Sequence, residues 1–400
     1  MSDAEDTEGP LEGLKVIEMG QLIAGPFCGQ LLADMGADVI KIEAPGEGDP
    51  MRAWGQPGFP LHWEVVNRNK RTVSANLRLP EGQNLARRLI SWADILVENF
   101  RPGTLEGWNL APDALRQENP GLIVVRMSGY GQSGPYSRRA GYGGIGEAMG
   151  GWRHIVGDAD RPPSRMGVSI GDALAATYGC LGALAALRHR ERTGQGQVVD
   201  SALYEAVLQV MESLVPDYAV AGFTRGRSGS ILPGIAPSNV YRCADGDYLI
   251  AANQDTVFAR LAAAIGASEL AADPRYATHE ARGARQRELD DLIEAWTKSR
   301  TIAEVETVMI EAGVPAGKIY RAADMLGDPH FQARESIVEF DHPRWGKLPM
   351  QNVFPRLSKT PGRVRRAASQ TVGQDNAEVY GQRLGLSAAD LAALQAKGVI

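Results

Sequence analysis

The chain has 400 residues, 44% hydrophobic and 22% charged, with a formal net charge of −6. That length and balance predict a globular protein of two or three domains with a core of its own, and the scattered cations exclude a nucleic-acid binder built on a basic run. The three cysteines, Cys28, Cys180 and Cys243, form no C-x-x-C pair, which argues against a disulfide framework or zinc knuckle and fits a reducing cytoplasm.

Residues 1–10 are acidic, lack the apolar stretch of a signal peptide and are expected to be a disordered lead. "LKVIEM" reads as a buried strand, "AGPFCGQLLADMG" as a helix and "ADVIKIE" as a second strand, a βαβ unit. The alternation continues with "RTVSANL", a helix over "EGQNLARRLISWA", then "DILVENF" and "GLIVVRMSGYG" as strands. This predicts an α/β fold, a doubly wound, largely parallel sheet of Rossmann-like type. Residues 172–190 read as one long helix whose apolar stripe is Leu174, Tyr178, Leu181, Leu184 and Leu187. No stretch of about 20 apolar residues is read as a membrane span. After a short strand and helix in "QVVDSALYEAVLQVMESL", composition shifts near residue 221 to Gly, Ser and Pro.

The expected domains are therefore a large one beginning at 11–205, a connector at 206–230, a small α/β domain at 231–325, and a return to the large domain at 326–400. Residues 224–237 suit a mobile lid and an interdomain linker equally. "VYRCADGDYLIAAN" predicts a hairpin with a D-G turn. Helical patterns come next at 255–266, 286–298 and 301–312, with a strand in "GVPAGKIY". Ser387 and Asp390 have the spacing of a capping arrangement before the last helix.

Two motifs raise questions of chemistry. The first βα turn, "MGQLIAGPFCG", comes after a strand, and Glu43 lies where a dinucleotide-binding acid would, but glycines at 20, 25 and 29 do not make G-x-G-x-x-G. The six histidines show no ligand spacing, so no metal site is expected. "GVSIGDALAATYGC" delivers a lone carboxylate, Asp172, among small residues. Local sequence favours a helix N-cap over an open carboxylate that glycine neighbours leave room to react.

A resemblance decides between them. "LEGLKVIEMGQLIAGPFCGQLLADMGADVIKIEAPGEGDPMR", "NRNKRTVSANL", "ILVENFRPGTLEGWNL", "SGYGQSGPYSRRAGY", "GVSIGDALAATYG" and "RHRERTGQGQVVDSALYEA", with "AGVPAGKIYRAADMLGDPHFQARE" and "HPRWGKLPM", run in the order found in class III CoA-transferases. The chain resembles that family, which includes the formyl-CoA, carnitine-CoA and succinyl-CoA-dependent transferases, over about residues 10–400. The resemblance implies that Asp172 is the nucleophile, forming an aspartyl acyl anhydride and then an aspartyl-CoA thioester. It implies CoA and acyl-CoA as substrates, no prosthetic group, and an interlocked homodimer; the cysteines point to the cytoplasm, and composition to no nucleic-acid or membrane partner. The motifs most resemble the succinyl-CoA-dependent members acting on dicarboxylic acids.

By the same resemblance Ile23, Ala24, Asn67, Asn69, Lys70, Arg71, Glu98, Asn99 and Phe100 hold CoA, with Lys70 and Arg71 on its phosphates, and Arg139 lies close to CoA or the acid. Ala44 and Gly107 replace basic positions of formyl-CoA transferase. Arg138, Arg139 and Arg165 are candidates for a distal carboxylate. The alternative is a 2-methylacyl-CoA-type racemase, whose histidine stands in "AGH"; here the motif is "AGY", and Tyr142 is a poor base at neutral pH.

Overall fold

The computed structural model describes residues 9–400, so most of the expected disordered lead lies outside the described residues. Gly9 and Pro10, counted with that lead, begin an ordered segment instead: Gly9 is buried beside the Met35 carbonyl, which accepts the Leu11 N–H at 2.9 Å. The chain divides into two compact units. The first holds the residues up to Trp152, Met166–Leu214 and Glu335–Ile400; the second holds Arg153–Arg165 and Val215–Arg334.

In the first unit six strands, β1 (Lys15–Glu18), β2 (Asp38–Glu43), β3 (Lys70–Ser74), β4 (Ile95–Glu98), β5 (Ile123–Ser128) and β6 (Val198–Ala202), form one sheet. All pairs are parallel, and the order is β3-β2-β1-β4-β5-β6, the doubly wound arrangement expected. Successive side chains leave opposite faces. Ile17, Ile40, Leu96 and Val124 pack under the Pro80–Trp92 helix through Leu85 and Leu89. Val16, Val39, Ile95 and Val125 pack on the other face with Leu32, Ala176 and Ala183. Burial of both faces is why these strands read as continuous apolar runs. Strand order reverses between β1 and β4, and such switch points open a crevice at the carboxyl ends of the strands.

The long helix spans Ile170–Thr193, two residues earlier than expected at its start, and ends at Gly194 in the left-handed region. Its buried side is not the leucine stripe. Ala176, Gly179, Ala183 and Ala186 face the sheet and Ala175 packs with Leu203 and Ala206, while Leu181 is 60% and Leu184 39% exposed. Close approach explains this: a Cβ on Gly182 would lie 2.5 Å from Val199 Cγ1. By length and composition alone this helix is also long and apolar enough to cross a membrane, which corrects the expectation that no such segment exists.

The second unit carries an antiparallel sheet of β7 (Ser238–Cys243), β8 (Gly246–Ala251) and β9 (Ala316–Lys318). The hairpin turn is Ala244 and Asp245; Gly246 opens β8 and pairs with Cys243, so the turn sits one residue before the expected D-G. Residues 224–237 belong to this unit and do not link the two. The Gln286 amide donates to the Leu232 and Ile235 carbonyls, and the buried Arg282 donates to Ala236 O. The expected limits 206–230 and 231–325 therefore move to 215 and 334.

Residues 335–400 belong to the first unit, nine residues later than the expected 326. They include an antiparallel hairpin, β10 (Ile337–His342) and β11 (Gly346–Gln351), that periodicity did not reveal. Ser387 and Asp390 form the expected capping box.

Candidate active site

The switch point holds a cleft of about 230 Å³. Its wall is built from residues just past the strand ends: Gln21, Leu22 and Ile23 after β1, Asn99, Phe100 and Arg101 after β4, and Ser128 and Gly129 at the end of β5. Asp172 closes it, together with Arg139, Gly141 and Tyr142.

Asp172 is the third residue of its helix, and the N-cap is Ser169. The N-cap role weighed for Asp172 is thereby corrected. The carboxylate, half-buried, sits beside the positive end of a 24-residue helix. Glycines set its place. A Cβ on Gly143 would fall 2.0 Å from Asp172 Oδ2, and one on Gly171 would fall 3.0 Å from the Gly143 carbonyl. Two glycines thus let the Ile170–Thr193 and Gly143–Met149 helices meet where the acid emerges.

The 20–23 turn is held by polar contacts. Asn99 Oδ1 accepts the Gln21 N–H at 2.8 Å, and its Nδ2 donates to Gln21 O at 2.9 Å. Leu22 adopts φ +61°. Gly20 and Gly25 approach so closely that a Cβ on Gly20 would lie 2.6 Å from the Gly25 Cα, which accounts for glycines that do not keep a dinucleotide spacing.

A second cleft of about 800 Å³ adjoins the first, sharing Gln21 and Phe100. It runs over the carboxyl ends of β1, β2 and β3 and is lined by Ala44, Gly46, Arg78 and Trp108. Phe100 and Trp108 meet edge to face there, 5.0 Å between ring centroids.

Six of the residues singled out from sequence line the first cleft: Ile23, Ala24, Asn99, Phe100, Arg139 and Asp172. The Arg139 guanidinium stacks 3.5 Å from the Tyr136 ring centroid. Five do not line either cleft. Lys70 is fully buried, bonded to Glu18 Oε2 and to the Pro26 carbonyl, both at 2.6 Å. Arg71 is held by Asp38 at 2.5 Å and Glu378 at 2.8 Å. The expectation that these two cations meet CoA phosphates is corrected: each is committed to carboxylates of its own unit. Asn67 is buried and accepts from Lys70. Asn69, at φ +62°, bonds Asp34 and the 363–366 backbone.

Glu98 is the fifth. It is fully buried, accepting from Arg126 Nε at 2.6 Å and from the Phe100 N–H at 2.7 Å. It props the 98–100 turn from beneath. Burial pushes its carboxyl up to about 7, against the pull of Arg126.

Of the candidates for a distal carboxylate, Arg138 is exposed and outside the cleft lining, and Arg165 belongs to the second unit. Sequence reasoning missed Gln21, Arg101 and Gly129 in the first cleft and Arg78 and Trp108 in the second. The signal for them was topological: each lies past the carboxyl end of a strand flanking the switch point, or on the adjoining loops.

Residues 11–376 match the model of CoA-transferase family III. The chain is 56% identical over 395 residues to the succinyl-CoA–D-citramalate CoA-transferase of Chloroflexus aurantiacus, covering 98% of each. It is 40% identical to the beta subunit of that organism's succinyl-CoA–L-malate CoA-transferase, over the full length of both. Among solved structures it resembles a CAIB/BAIF family protein from Brucella suis, with TM-score 0.83 and 35% identity over 94% of this chain and 100% of that one.

Proposed function

The chain belongs to CoA-transferase family III, and from that premise we propose that it moves CoA from succinyl-CoA to a dicarboxylic acid of the citramalate type, with Asp172 as nucleophile. One observation carries the reading: a chain 56% identical end to end to a succinyl-CoA–D-citramalate transferase presents Asp172 in the cleft at its switch point.

The steps balance without a free proton. An Asp172 carboxylate oxygen attacks the thioester carbonyl, and the CoA thiolate leaves, giving a mixed anhydride. The thiolate then attacks Cγ of Asp172, releasing succinate and leaving an aspartyl-CoA thioester. The acceptor carboxylate attacks Cγ, forming a second anhydride and freeing the thiolate. Thiolate attack on the acceptor acyl carbon yields the new CoA ester and regenerates Asp172. A carboxylate is ionised at neutral pH and needs no base to act this way.

The two adjoining clefts suit the length of acyl-CoA. The acyl end lies by Asp172, and the nucleotide end lies over Trp108 and Phe100, with Arg78 available to phosphate. Arg101 and Arg139 suit the distal carboxylate of a diacid. Tyr142, 71% exposed, stands where a racemase would need a base, which favours transfer.

An interlocked homodimer belongs to the same reading, supported by the exposed Leu181 and Leu184 on the long helix. So does a cytoplasmic location, in keeping with three free cysteines. The test is to incubate the purified protein with succinyl-CoA and, separately, D-citramalate, L-citramalate, L-malate and acetate, and to monitor CoA esters by mass spectrometry. A new ester with a diacid and none with acetate supports the reading. No ester with any diacid overturns it.

A further inference from the structure

Under the cleft lies a chain of buried charges: Lys70, Glu18, Lys41 and Asp49, each almost wholly removed from solvent. Lys41 Nζ bonds Glu18 Oε1 at 2.8 Å and Asp49 Oδ2 at 2.9 Å. Four buried charges exceed what stability needs, since well-packed apolar residues would serve as well or better. Their outer contacts are more telling. Lys41 Nζ also donates to Gly20 O at 2.6 Å, and Asp49 Oδ1 accepts the Leu22 N–H at 3.0 Å.

With the two bonds from Asn99 to Gln21, these contacts fix the polar backbone groups of the turn from Gly20 O to Leu22 N. Leu22, at φ +61°, lies in a left-handed conformation that a leucine adopts at a cost. The surroundings must over-determine it for it to persist. Gln21, Leu22 and Ile23 are also the side of the cleft contributed by β1. Lys41 and its Gly20 contact leave the strained turn little freedom. Asp49 holds the Leu22 amide while capping Met51 N–H at 2.9 Å, so it ties the turn to the 3₁₀ segment Pro50–Ala53.

We propose that Asp49 and Lys41 are positioning residues for the transfer reaction, clamping the 20–23 turn in the strained shape that forms the acyl-CoA wall opposite Asp172. The proposal rests on the reading of this cleft as the acyl-CoA site. Neither residue touches substrate; both act through the backbone of the turn. Asparagine at 49 keeps Oδ1 for the Leu22 and Met51 amides and turns Oδ2, the partner of Lys41, into an NH2 that cannot accept from it. Alanine loses both.

The experiment compares Asp49→Asn and Asp49→Ala in the full chain, with turnover of succinyl-CoA and D-citramalate measured well below each variant's melting temperature. Hydrogen–deuterium exchange of the peptide covering residues 19–27 is measured alongside. Asp49→Ala is expected to lose on the order of 100-fold in kcat and to exchange the turn amides faster, while Asp49→Asn, which gives up only the Lys41 contact, is expected to lose less in both. A folded Asp49→Ala with wild-type turnover and exchange overturns the proposal. So does an equal loss in both variants with the exchange of the turn unchanged, which is what a merely structural ion pair would give.

If the single variants do not fold, two charge-balanced ones replace them: Lys41→Met with Asp49→Asn, and Lys41→Met with Asp49→Leu. The first keeps the acceptor for Leu22 and is expected to transfer CoA faster than the second; equal rates overturn the proposal. Wild type and Asp172→Ala run in parallel. Absence of transfer by wild type would defeat the cleft reading, while turn exchange would still report on the clamp.

Discussion

At the scale of single residues the site depends on what is missing from Gly143. Its backbone is helical, so alanine is conformationally acceptable there, yet a methyl group would fall 2.0 Å from the Asp172 carboxylate. Gly143→Ala is therefore expected to keep its fold and lose on the order of 100-fold in kcat by displacing the nucleophile; circular dichroism and steady-state kinetics check the two halves. Glu98 offers a test by pH. An unfolded glutamate releases its proton near 4.5, whereas burial holds the proton on Glu98 up to about 7. The folded chain binds the extra proton between those values. Its contribution to stability is full below pH 4.5 and is lost as pH rises through about 7. Thermal melts of wild type against Glu98→Gln across that window should show wild type losing ground as pH rises. A constant difference would mean that Glu98 is ionised throughout.

At the scale of elements the long helix is governed by close packing. Gly182→Ala gains helix propensity, but its Cβ meets Val199 Cγ1 at 2.5 Å, and valine is stiff. The variant should be destabilised by about 1–3 kcal/mol, and Val199→Ala should recover most of the loss in a double-mutant cycle read by denaturant unfolding. The same helix shows what could be read beforehand. Its existence was evident from composition and from Gly194 beyond its end. Which side is buried was not, because Leu181 and Leu184 outweigh alanine on any hydropathy scale while the sheet admits only small residues at Gly179 and Gly182. Strands β1, β2, β4 and β5 were legible because the apolar residues of both their faces are buried. The β10–β11 hairpin was not, since only His342 and Met350 of its twelve strand residues are buried and no alternation marks it. For the candidate cleft, Asp172, Asn99 and Phe100 were legible from motif resemblance, whereas Glu98 lies beneath it. Lys70 and Arg71 were misjudged because a cation in a loop-like run looks solvated until its carboxylate partners, Glu18, Asp38 and Glu378, are brought in by the fold.

At the scale of the whole molecule, the exposed leucines of the long helix suit the proposed homodimer. Light scattering should give twice the 43.0 kDa of one chain, and Leu181→Glu with Leu184→Glu should lower that mass; a wild-type monomer would contradict the assembly. The central claim is covalent catalysis by Asp172, and peptide mass analysis after trapping tests it most directly. Succinyl-CoA alone, with no acceptor acid, should load the enzyme. Hydroxylamine should then convert the adduct to a hydroxamate on the peptide carrying Asp172, while leaving the resting carboxylate untouched, since that group is not electrophilic. No mass change on that peptide after donor addition, or a label on another carboxylate, would contradict the account.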